Sequence, residues 1–221
     1  PIISLLSGGG LVTIFRLSPA SGFRQTAWLT LAMVIWFISF RIKNLLGLLR
    51  RYKYVWLAGG ILLTVLTFFV GTYPGGGGPE LWLNLGKLYF QPSEFLKLLL
   101  IIYLAAYLAD TFPARFRLLQ LLIPTLILSG IVLVILIAQR DLGTASIFLV
   151  LYTVIIYLAT GKRRILLFSF LVGFFAFIAA YLVFDVIQVR VSAWLDPWSD
   201  PRGSAYQIVQ SLIAIANGKV I

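Results

Sequence analysis

The sequence predicts an all-α fold, a polytopic transmembrane helix bundle with a large extracytoplasmic loop that contains a short amphipathic helix. Three observations support this prediction. Hydrophobic residues make up 61% and charged residues 11% of the 221 residues, which excludes an ordinary soluble domain. Most apolar runs approach the roughly 20 residues that a helix needs to cross a bilayer. Basic residues gather in every second connection between these runs.

Seven apolar segments account for most of the chain, and each is expected to be helical because a helix satisfies its own backbone hydrogen bonds in lipid. We expect the first to be the end of an incomplete span and its glycines 8–10 to mark close helix packing. We also expect residues 1–221 to form a single, incomplete integral-membrane domain of about seven spans. The segments are residues 2–17, 26–40, 54–71, 92–109, 119–138, 143–160 and 165–185.

The positive charges predict which connections face the cytoplasm. Ten of the eighteen basic residues lie in the second, fourth and sixth connections, which the positive-inside rule makes cytoplasmic. The connection at 72–91, with a glycine run at 75–78 that we interpret as a flexible tip, and the loop at 186–221 then face outward. The ten residues are Arg41, Lys43, Arg50, Arg51, Lys53, Arg115, Arg117, Lys162, Arg163 and Arg164.

The residue types exclude several kinds of chemistry. The chain has no cysteine and no histidine, which excludes thiol nucleophiles, histidine bases and His/Cys metal sites. The net charge of +11 does not indicate a nucleic acid partner, because the basic residues lie in short loops between apolar segments. Acid–base chemistry must therefore come from seven carboxylates: Glu80, Glu94, Asp110, Asp141, Asp185, Asp196 and Asp200.

The polar segment 191–218 is the part of the chain on which the functional prediction is built. Asp196 and Asp200 each precede a proline, which fixes its own φ and favours extended backbone before it. A stiff loop of this kind can aim a carboxylate. Residues 204–216 then show the spacing of an amphipathic helix that is too short to span a bilayer. Its polar positions include Ser204, Gln207 and Gln210.

Further polar candidates lie near expected helix starts. Glu94 occupies a first turn, where the helix dipole favours a carboxylate, and Lys97 follows three residues later on the same face. We interpret the two either as a structural or supporting ion pair or as participants in the chemistry. Asp141, in a tight hairpin, either caps the following helix or belongs to a polar site. Trp82 is expected at the membrane interface.

Three stretches carry a family resemblance: WLNLGKLYFQPSEFLKLLLIIYLAAYLA at 82–109, AQRDLGTA at 138–145 and LDPWSDPRGSAYQIVQSLIAIANG at 195–218. Together they resemble the SEDS family of bacterial cell-wall proteins, which includes FtsW, RodA and SpoVE. The order and spacing of the stretches agree with the family. Two departures bear on the site, because Arg140 stands where the family usually has proline and Ala205 where it usually has glycine.

The resemblance implies an enzyme, an inverting peptidoglycan glycosyltransferase that polymerises lipid II and releases undecaprenyl pyrophosphate. It implies a multi-pass protein of the bacterial cytoplasmic membrane, acting at the outer face in cell shape, division or sporulation. About three further spans of ~20 residues each are expected after residue 221. The implied partners are lipid II, membrane lipids and a class B penicillin-binding protein.

Asp200 matches the family's aspartate before Pro-Leu-Gly, and the resemblance therefore implies that it is the catalytic base. Residues expected to bind substrate or support the base are Glu94, Lys97, Asp141, Trp82, Arg202, Ser204, Gln207 and Gln210. The leaving pyrophosphate could be stabilised by Arg202, Arg190, Arg140 or Lys97. A divalent cation, Mg²⁺ or Mn²⁺, could instead be held by Asp141 or Asp200, and no metal site is assigned.

Two other functions stay open from the sequence. A lipid II flippase or transporter would need a polar path across the membrane, whereas the segments at 119–138 and 165–185 hold almost no ionisable groups. A membrane scaffold for a cell-wall transpeptidase is compatible with the enzyme.

Overall fold

The computed structural model describes residues 2–42, 44–74, 78–84, 86, 89–111 and 118–218, with only the backbone of 118–121. Glycines 75–77 and three basic loop residues, Lys43, Arg115 and Arg117, lie outside the described residues. The described part forms ten helices and three short strands. In chain order they are α1 Ile2–Leu17, α2 Pro19–Arg41, α3 Leu45–Arg51, α4 Lys53–Val70, β1 Gly71–Thr72, β2 Trp82–Asn84, β3 Tyr89–Phe90, α5 Pro92–Thr111, α6 Leu118–Ala138, α7 Leu142–Thr160, α8 Arg163–Val183, α9 Asp185–Leu195 and α10 Tyr206–Asn217.

All seven predicted apolar segments are helical. Among the described residues, five helices are long and apolar enough to cross a membrane, namely α2, α4, α5, α7 and α8. The apolar helix α1 and the part of α6 from Leu122 to Ala138 are shorter. Helix α2 begins seven residues before the predicted 26. The reason is local, because Ser18 accepts a hydrogen bond from the backbone N–H of Ser21 and Pro19 occupies the first helical position.

Two compact units divide the chain, Pro1–Trp56 and Leu57–Ile221, and the expectation of a single domain stays a prediction. In the first unit α1 packs against α2. The two helices are tightly packed at Gly22, where an added Cβ would lie 2.6 Å from the ring of Phe15. The expectation of close packing at glycines 8–10 is wrong, because an added Cβ there would meet nothing within 4 Å among the described residues.

Helix α5 packs against both α6 and α7 in the second unit, and these two helices also pack against each other. Its inward side chains are almost completely buried, and they share one core with side chains from α4, α6 and α7. Since lipid tails are themselves apolar, close packing contributes more than burial to the association of such helices. The core side chains include Leu57, Leu96, Leu100, Tyr103, Leu104, Val132, Leu136, Phe148, Tyr152 and Ile156.

One buried polar side chain ties α6 to α4. Gln139 follows the last residue of α6 and is only 8% exposed. Its amide donates to the carbonyl oxygen of Thr64 at 2.7 Å and to Oγ1 of Thr67 at 2.6 Å. Both partners lie in the last two turns of α4, so the ends of the two helices are held at the same level.

A small antiparallel sheet, which the sequence prediction lacked, follows α4 in the order β1-β2-β3. Trp82, which was expected at the membrane interface, pairs with Thr72 in this sheet. Gly71 is required because an added Cβ would collide with the carbonyl oxygens of Thr67 and Glu80. Two- and three-residue strands carry too little alternation to be recognised in a sequence.

The segment after α8 holds two helices. Helix α10 at Tyr206–Asn217 confirms the predicted amphipathic helix. Helix α9 was not predicted, and Asp185, interpreted as the end of an apolar segment, is its first residue. Ala193, Ala205 and Val209 form a small core of their own between these helices.

Two adjacent glycines of α4 allow a test of the core. An added Cβ on Gly60 would lie 2.6 Å from Leu99 and 2.9 Å from Leu96, whereas on Gly59 it would meet nothing within 4 Å. We expect Gly60→Val to lower the free energy of unfolding by about 1–3 kcal/mol through overpacking, and Gly59→Val to change it little. Denaturation in mixed detergent micelles, followed by circular dichroism, measures both. Equal stability of the two variants would contradict the packing of α4 on α5.

Candidate functional site

The loop at 196–205 holds the carboxylate of Asp200 in one orientation. The backbone N–H of Ser204 donates to Oδ2 at 2.7 Å, and the Ser204 hydroxyl donates to the same oxygen at 3.0 Å. The backbone N–H of Gly203 donates to Oδ1 at 3.1 Å. Gly203 is needed for this arrangement, because an added Cβ would collide with the carboxylate. Asp200 itself is exposed, so the oriented carboxylate is open to solvent.

The same hydrogen bonds set the charge of Asp200. The backbone N–H of Ser204, followed by its hydroxyl, lowers the pKa of the Asp200 carboxyl below the usual value. Donors to a carboxylate stabilise its ionised form. Asp200 is therefore negatively charged at neutral pH and ready to accept a proton or bind a cation.

The other predicted residues of this region lie around the loop. Arg202 and Ser204 are exposed, and so are Gln207 and Gln210 on the surface of α10. Ala205, which follows directly, is only 1% exposed and packs in the small core. The backbone of Ala205 also donates to the carbonyl oxygen of Asp200 at 3.3 Å, so the buried core and the exposed carboxylate belong to one rigid turn.

A second polar cluster forms where α5 and α7 begin. Asp141 caps α7, since its Oδ1 accepts from the backbone N–H of Thr144 at 3.1 Å. Its Oδ2 accepts from Gln91 and from the hydroxyl of Ser93, both at 3.5 Å, and Gln91 also donates to Ser93 at 3.1 Å. The interpretation of Asp141 as a helix cap is therefore confirmed, and its part in a functional polar site stays a prediction.

The hairpin between α6 and α7 has an unusual backbone. The N–H of Asp141 donates to the carbonyl of Leu136 and the N–H of Arg140 to that of Ile137, both at 2.9 Å, which is the Schellman pattern of a helix end. Arg140 takes the left-handed position with φ 59°, where glycine is usual. Proline, whose φ lies near −65°, could not occupy this backbone. The departure at Arg140 therefore changes the loop geometry as well as the side chain.

Glu94 and Lys97 form the predicted ion pair at the start of α5. The Nζ of Lys97 lies 2.7 Å from Oε1 of Glu94, and the side chains are 18% and 58% exposed, respectively. The carboxylate lies in the first turn of the helix, where it also meets the favourable end of the helix dipole. This geometry supports the interpretation of Glu94 and Lys97 as a structural ion pair. A direct role of either residue in the reaction stays a prediction.

The predicted site residues therefore fall into separate groups. Among the described residues, no hydrogen bond or ion pair joins the Asp200 loop to Asp141, to the Glu94–Lys97 pair or to Trp82. Trp82 lies half-buried in β2, and its carbonyl accepts from the Thr72 hydroxyl. Gln91 and Ser93 were missed as site residues, although both lie in the Gln-Pro-Ser-Glu motif next to Glu94.

The groups nevertheless share one end of the helix bundle. The Gln139 and Asp141 hydrogen bonds bring together the end of α4, the start of α5, the end of α6 and the start of α7. Helix α8 packs against α7 after a two-residue turn and so returns toward this end, where α9 and the Asp200 loop follow. Assignment of this end to the outer side of the membrane stays a prediction.

The described residues contain no group of three or more acidic side chains that could hold a metal ion. Asp141 and Asp200 each have oxygen atoms engaged by protein donors. A divalent cation at either one would have to share the carboxylate with these donors. The possible Mg²⁺ or Mn²⁺ site stays a prediction.

Comparison with known proteins identifies relatives along the whole chain. The family model FtsW/RodA/SpoVE, described as cell cycle protein, matches residues 9–221. The peptidoglycan glycosyltransferase RodA of Mycobacterium tuberculosis is 29% identical over 246 residues, covering 100% of this chain and 52% of the relative. The probable peptidoglycan glycosyltransferase FtsW of Aeromonas salmonicida is 34% identical over 197 residues, covering 88% of this chain and 48% of the relative.

A solved structure described as "Structural coordination of polymerization and crosslinking by a peptidoglycan synthase complex" has a similar fold. It aligns with a TM-score of 0.77 and 28% identity, covering 99% of this chain and 64% of that chain. This likeness confirms the predicted class, a polytopic bundle of membrane helices. The chain spans about half the length of the curated relatives that it matches.

The Asp200 hydrogen bonds predict a measurable pH dependence. Ser204→Ala removes the hydroxyl donor, so the pKa of Asp200 should rise toward the usual aspartate value. Because the folded pKa is lowered, the loop should be fully ordered above the usual pKa and should loosen as the pH falls through the lower folded value. Carbon-13 NMR titration of the carboxyl group measures this shift. Ser199→Ala is the control, because Ser199 donates to the Asp196 carbonyl instead. An unchanged Asp200 titration in Ser204→Ala would contradict the geometry.

Two substitutions separate the contribution of Asp141 as a helix cap from the contribution of its negative charge. We expect Asp141→Ala to lower the free energy of unfolding by about 1–2 kcal/mol, because it removes the cap of α7 and the acceptor of Gln91 and Ser93. Asp141→Asn keeps a capping oxygen and should stay closer to the original stability. Detergent denaturation measures both variants. A loss in Asp141→Asn as large as in Asp141→Ala would show that the charge, rather than the cap, stabilises the hairpin.

Proposed function

Because the chain belongs to the FtsW/RodA/SpoVE family of cell cycle proteins, we propose that it forms part of a peptidoglycan glycosyltransferase. In this proposal the enzyme polymerises lipid II at the outer face of the bacterial cytoplasmic membrane. The names of the curated relatives support the activity. The observation on this chain that carries the proposal is the exposed carboxylate of Asp200, held in one orientation by Gly203 and Ser204.

The proposed reaction needs a base and a stabilised leaving group. A hydroxyl oxygen of the acceptor sugar attacks the anomeric carbon of the donor, the bond from that carbon to the pyrophosphate oxygen breaks, and the hydroxyl proton passes to Asp200. The chain has no histidine, and Asp200 is ionised at neutral pH, so it can accept this proton. Its Oδ1 accepts one hydrogen bond where Oδ2 accepts two, which leaves Oδ1 the more accessible oxygen.

Positive charge for the leaving pyrophosphate is available beside the base. Arg202 lies two residues after Asp200 and is exposed, and a guanidinium can contact two phosphate oxygens at once. We assign this role to Arg202 ahead of Lys97, whose ammonium is already engaged by Glu94 at 2.7 Å. A Mg²⁺ or Mn²⁺ ion at Asp141 or Asp200 would supply the same charge.

The remaining candidates support this reaction from the same end of the bundle. Gln207 and Gln210 present exposed amides that can bond sugar hydroxyls, one turn apart on α10. Asp141 and the Glu94–Lys97 pair would order the neighbouring helix starts. The polyprenyl tail would lie along exposed apolar faces of the membrane helices.

A partner follows from the same comparison. The similar solved structure concerns polymerisation and crosslinking by one complex. Crosslinking of peptidoglycan is a transpeptidase reaction, so we propose a class B penicillin-binding protein as the partner. By binding this partner the protein would also act as a scaffold, and that role is compatible with the proposed glycosyltransferase activity.

Substitution of the base tests the activity. In the intact protein supplied with labelled lipid II in detergent, Asp200→Ala and Asp200→Asn should each lower polymer formation by about 100-fold or more, because both remove the base. Asp196→Ala is the matched control, since it removes a carboxylate from the same loop, and it should stay near the original rate. Gel analysis of glycan chains measures all three.

Two results would contradict the proposal. Normal polymer formation in Asp200→Asn would show that Asp200 only shapes the loop. Movement of lipid II between the leaflets of a vesicle, without any polymer, would indicate a flippase instead.

A further inference from the structure

A cavity of about 310 Å³ in the second unit has no lining residue in the Asp200 loop. Its walls come from the last turn of α4, the segment that leads into β2, and the hairpin after α6. It is lined by Thr67, Phe68, Gly78, Pro79, Glu80, Leu81, Ala138, Gln139 and Arg140. None of these residues takes part in the reaction proposed above, although Arg140 was one of four cations considered for the pyrophosphate.

Two opposite charges line this one cavity without neutralising each other. In the part of the chain that the structure describes, neither Glu80 nor Arg140 has an ion-pair partner, so their charged atoms are more than 4.0 Å apart. Both side chains are exposed. A ligand that carries a negative and a positive group could therefore satisfy both charges at once.

The buried side chain of Gln139 adds a hydrogen-bond acceptor to the lining of the cavity. The amide nitrogen of Gln139 donates to Thr64 and Thr67, which fixes the side chain. Its carbonyl oxygen receives no hydrogen bond from the described residues, and the residue lines the cavity. A ligand ammonium with several N–H donors can be bound by this oxygen and the Glu80 carboxylate together. The guanidinium of Arg140 suits a phosphate.

The level of the cavity in the membrane points to the source of such a ligand. Phe68 lies in the last turn of α4, and Ala138 is the last residue of α6. The ends of membrane-crossing helices lie at the level of the lipid headgroups. Phe68 and Ala138 are both exposed, so acyl chains could follow the helices below the cavity while a headgroup entered it.

We propose that this cavity is a binding site for a zwitterionic phospholipid headgroup with a primary ammonium, its phosphate on Arg140 and its ammonium on Glu80 and the carbonyl of Gln139. Phosphatidylethanolamine has this chemistry. Phosphatidylcholine lacks the N–H donors, and phosphatidylglycerol lacks the positive charge. The Schellman hairpin places Arg140 at the cavity, and the Gln139 hydrogen bonds hold this hairpin against α4.

Native mass spectrometry of the intact protein with each of these three lipids tests the site. The original protein should bind phosphatidylethanolamine about tenfold more tightly than the other two. Glu80→Gln should remove this preference over phosphatidylglycerol. Arg140→Gly should weaken the binding of phosphatidylethanolamine about tenfold while keeping the fold, because glycine is favoured at the left-handed position.

Arg163→Gln is the matched control, because it removes an exposed positive charge at the opposite end of α7 and α8. It should leave the lipid preference unchanged. Equal binding of the three lipids by the original protein, or an unchanged preference in Glu80→Gln, would overturn the proposal. Binding of soluble phosphoethanolamine without any lipid binding would also overturn it, because the occupant would then not be a membrane lipid.

Discussion

The hairpin at 139–141 holds the polar end of the second unit together. Gln139 bonds to α4, Arg140 makes the left-handed turn, and Asp141 caps α7 while it accepts hydrogen bonds from Gln91 and Ser93 at the start of α5. Three consecutive residues therefore join four helix ends. Helix ends leave backbone groups without partners, and in a membrane these groups are costly unless they are satisfied locally. The hairpin supplies such partners at the end of α6 and at the start of α7, and its side chains join these two helices to α4 and α5.

In the Asp200 loop, hydrogen bonds from the backbone and from a hydroxyl orient a carboxylate rather than join helix ends. Its carboxylate accepts three hydrogen bonds from two residues, Gly203 and Ser204, and it still remains exposed. This geometry is that of a well-formed turn and also that of an oriented base. The lowered pKa favours the ionised form and at the same time weakens Asp200 as a base, so proton transfer would be easier if the Ser204 hydroxyl moved to the substrate. In the proposed reaction, this exchange of one donor for another would need no large motion.

Sequence periodicity was sufficient for the long helices and for α10, and it was insufficient for the three strands and α9. Each long apolar segment became a helix, and the Glu94–Lys97 pair and the Asp141 cap followed from spacing and helix-start chemistry. The three strands and α9 were missed because two or three residues give no alternation, and because the apolar run continued through Phe184, where the helix breaks. The contacts of Gln91 and Ser93 with Asp141 join residues some fifty positions apart, and pattern alone does not show such contacts.

The burial of Ala205 limits how this loop can evolve. Its methyl group fills a space between α9 and α10, while its backbone N–H is bonded to the Asp200 carbonyl. The family's usual glycine would leave this space empty, and a side chain larger than a methyl group would have to push the turn outward. We therefore expect only glycine or alanine to fit at this position without a shift of the turn, even though the neighbouring residues 202–204 are exposed. The size of this buried side chain therefore bears on the orientation of the neighbouring carboxylate, because both belong to one hydrogen-bonded turn.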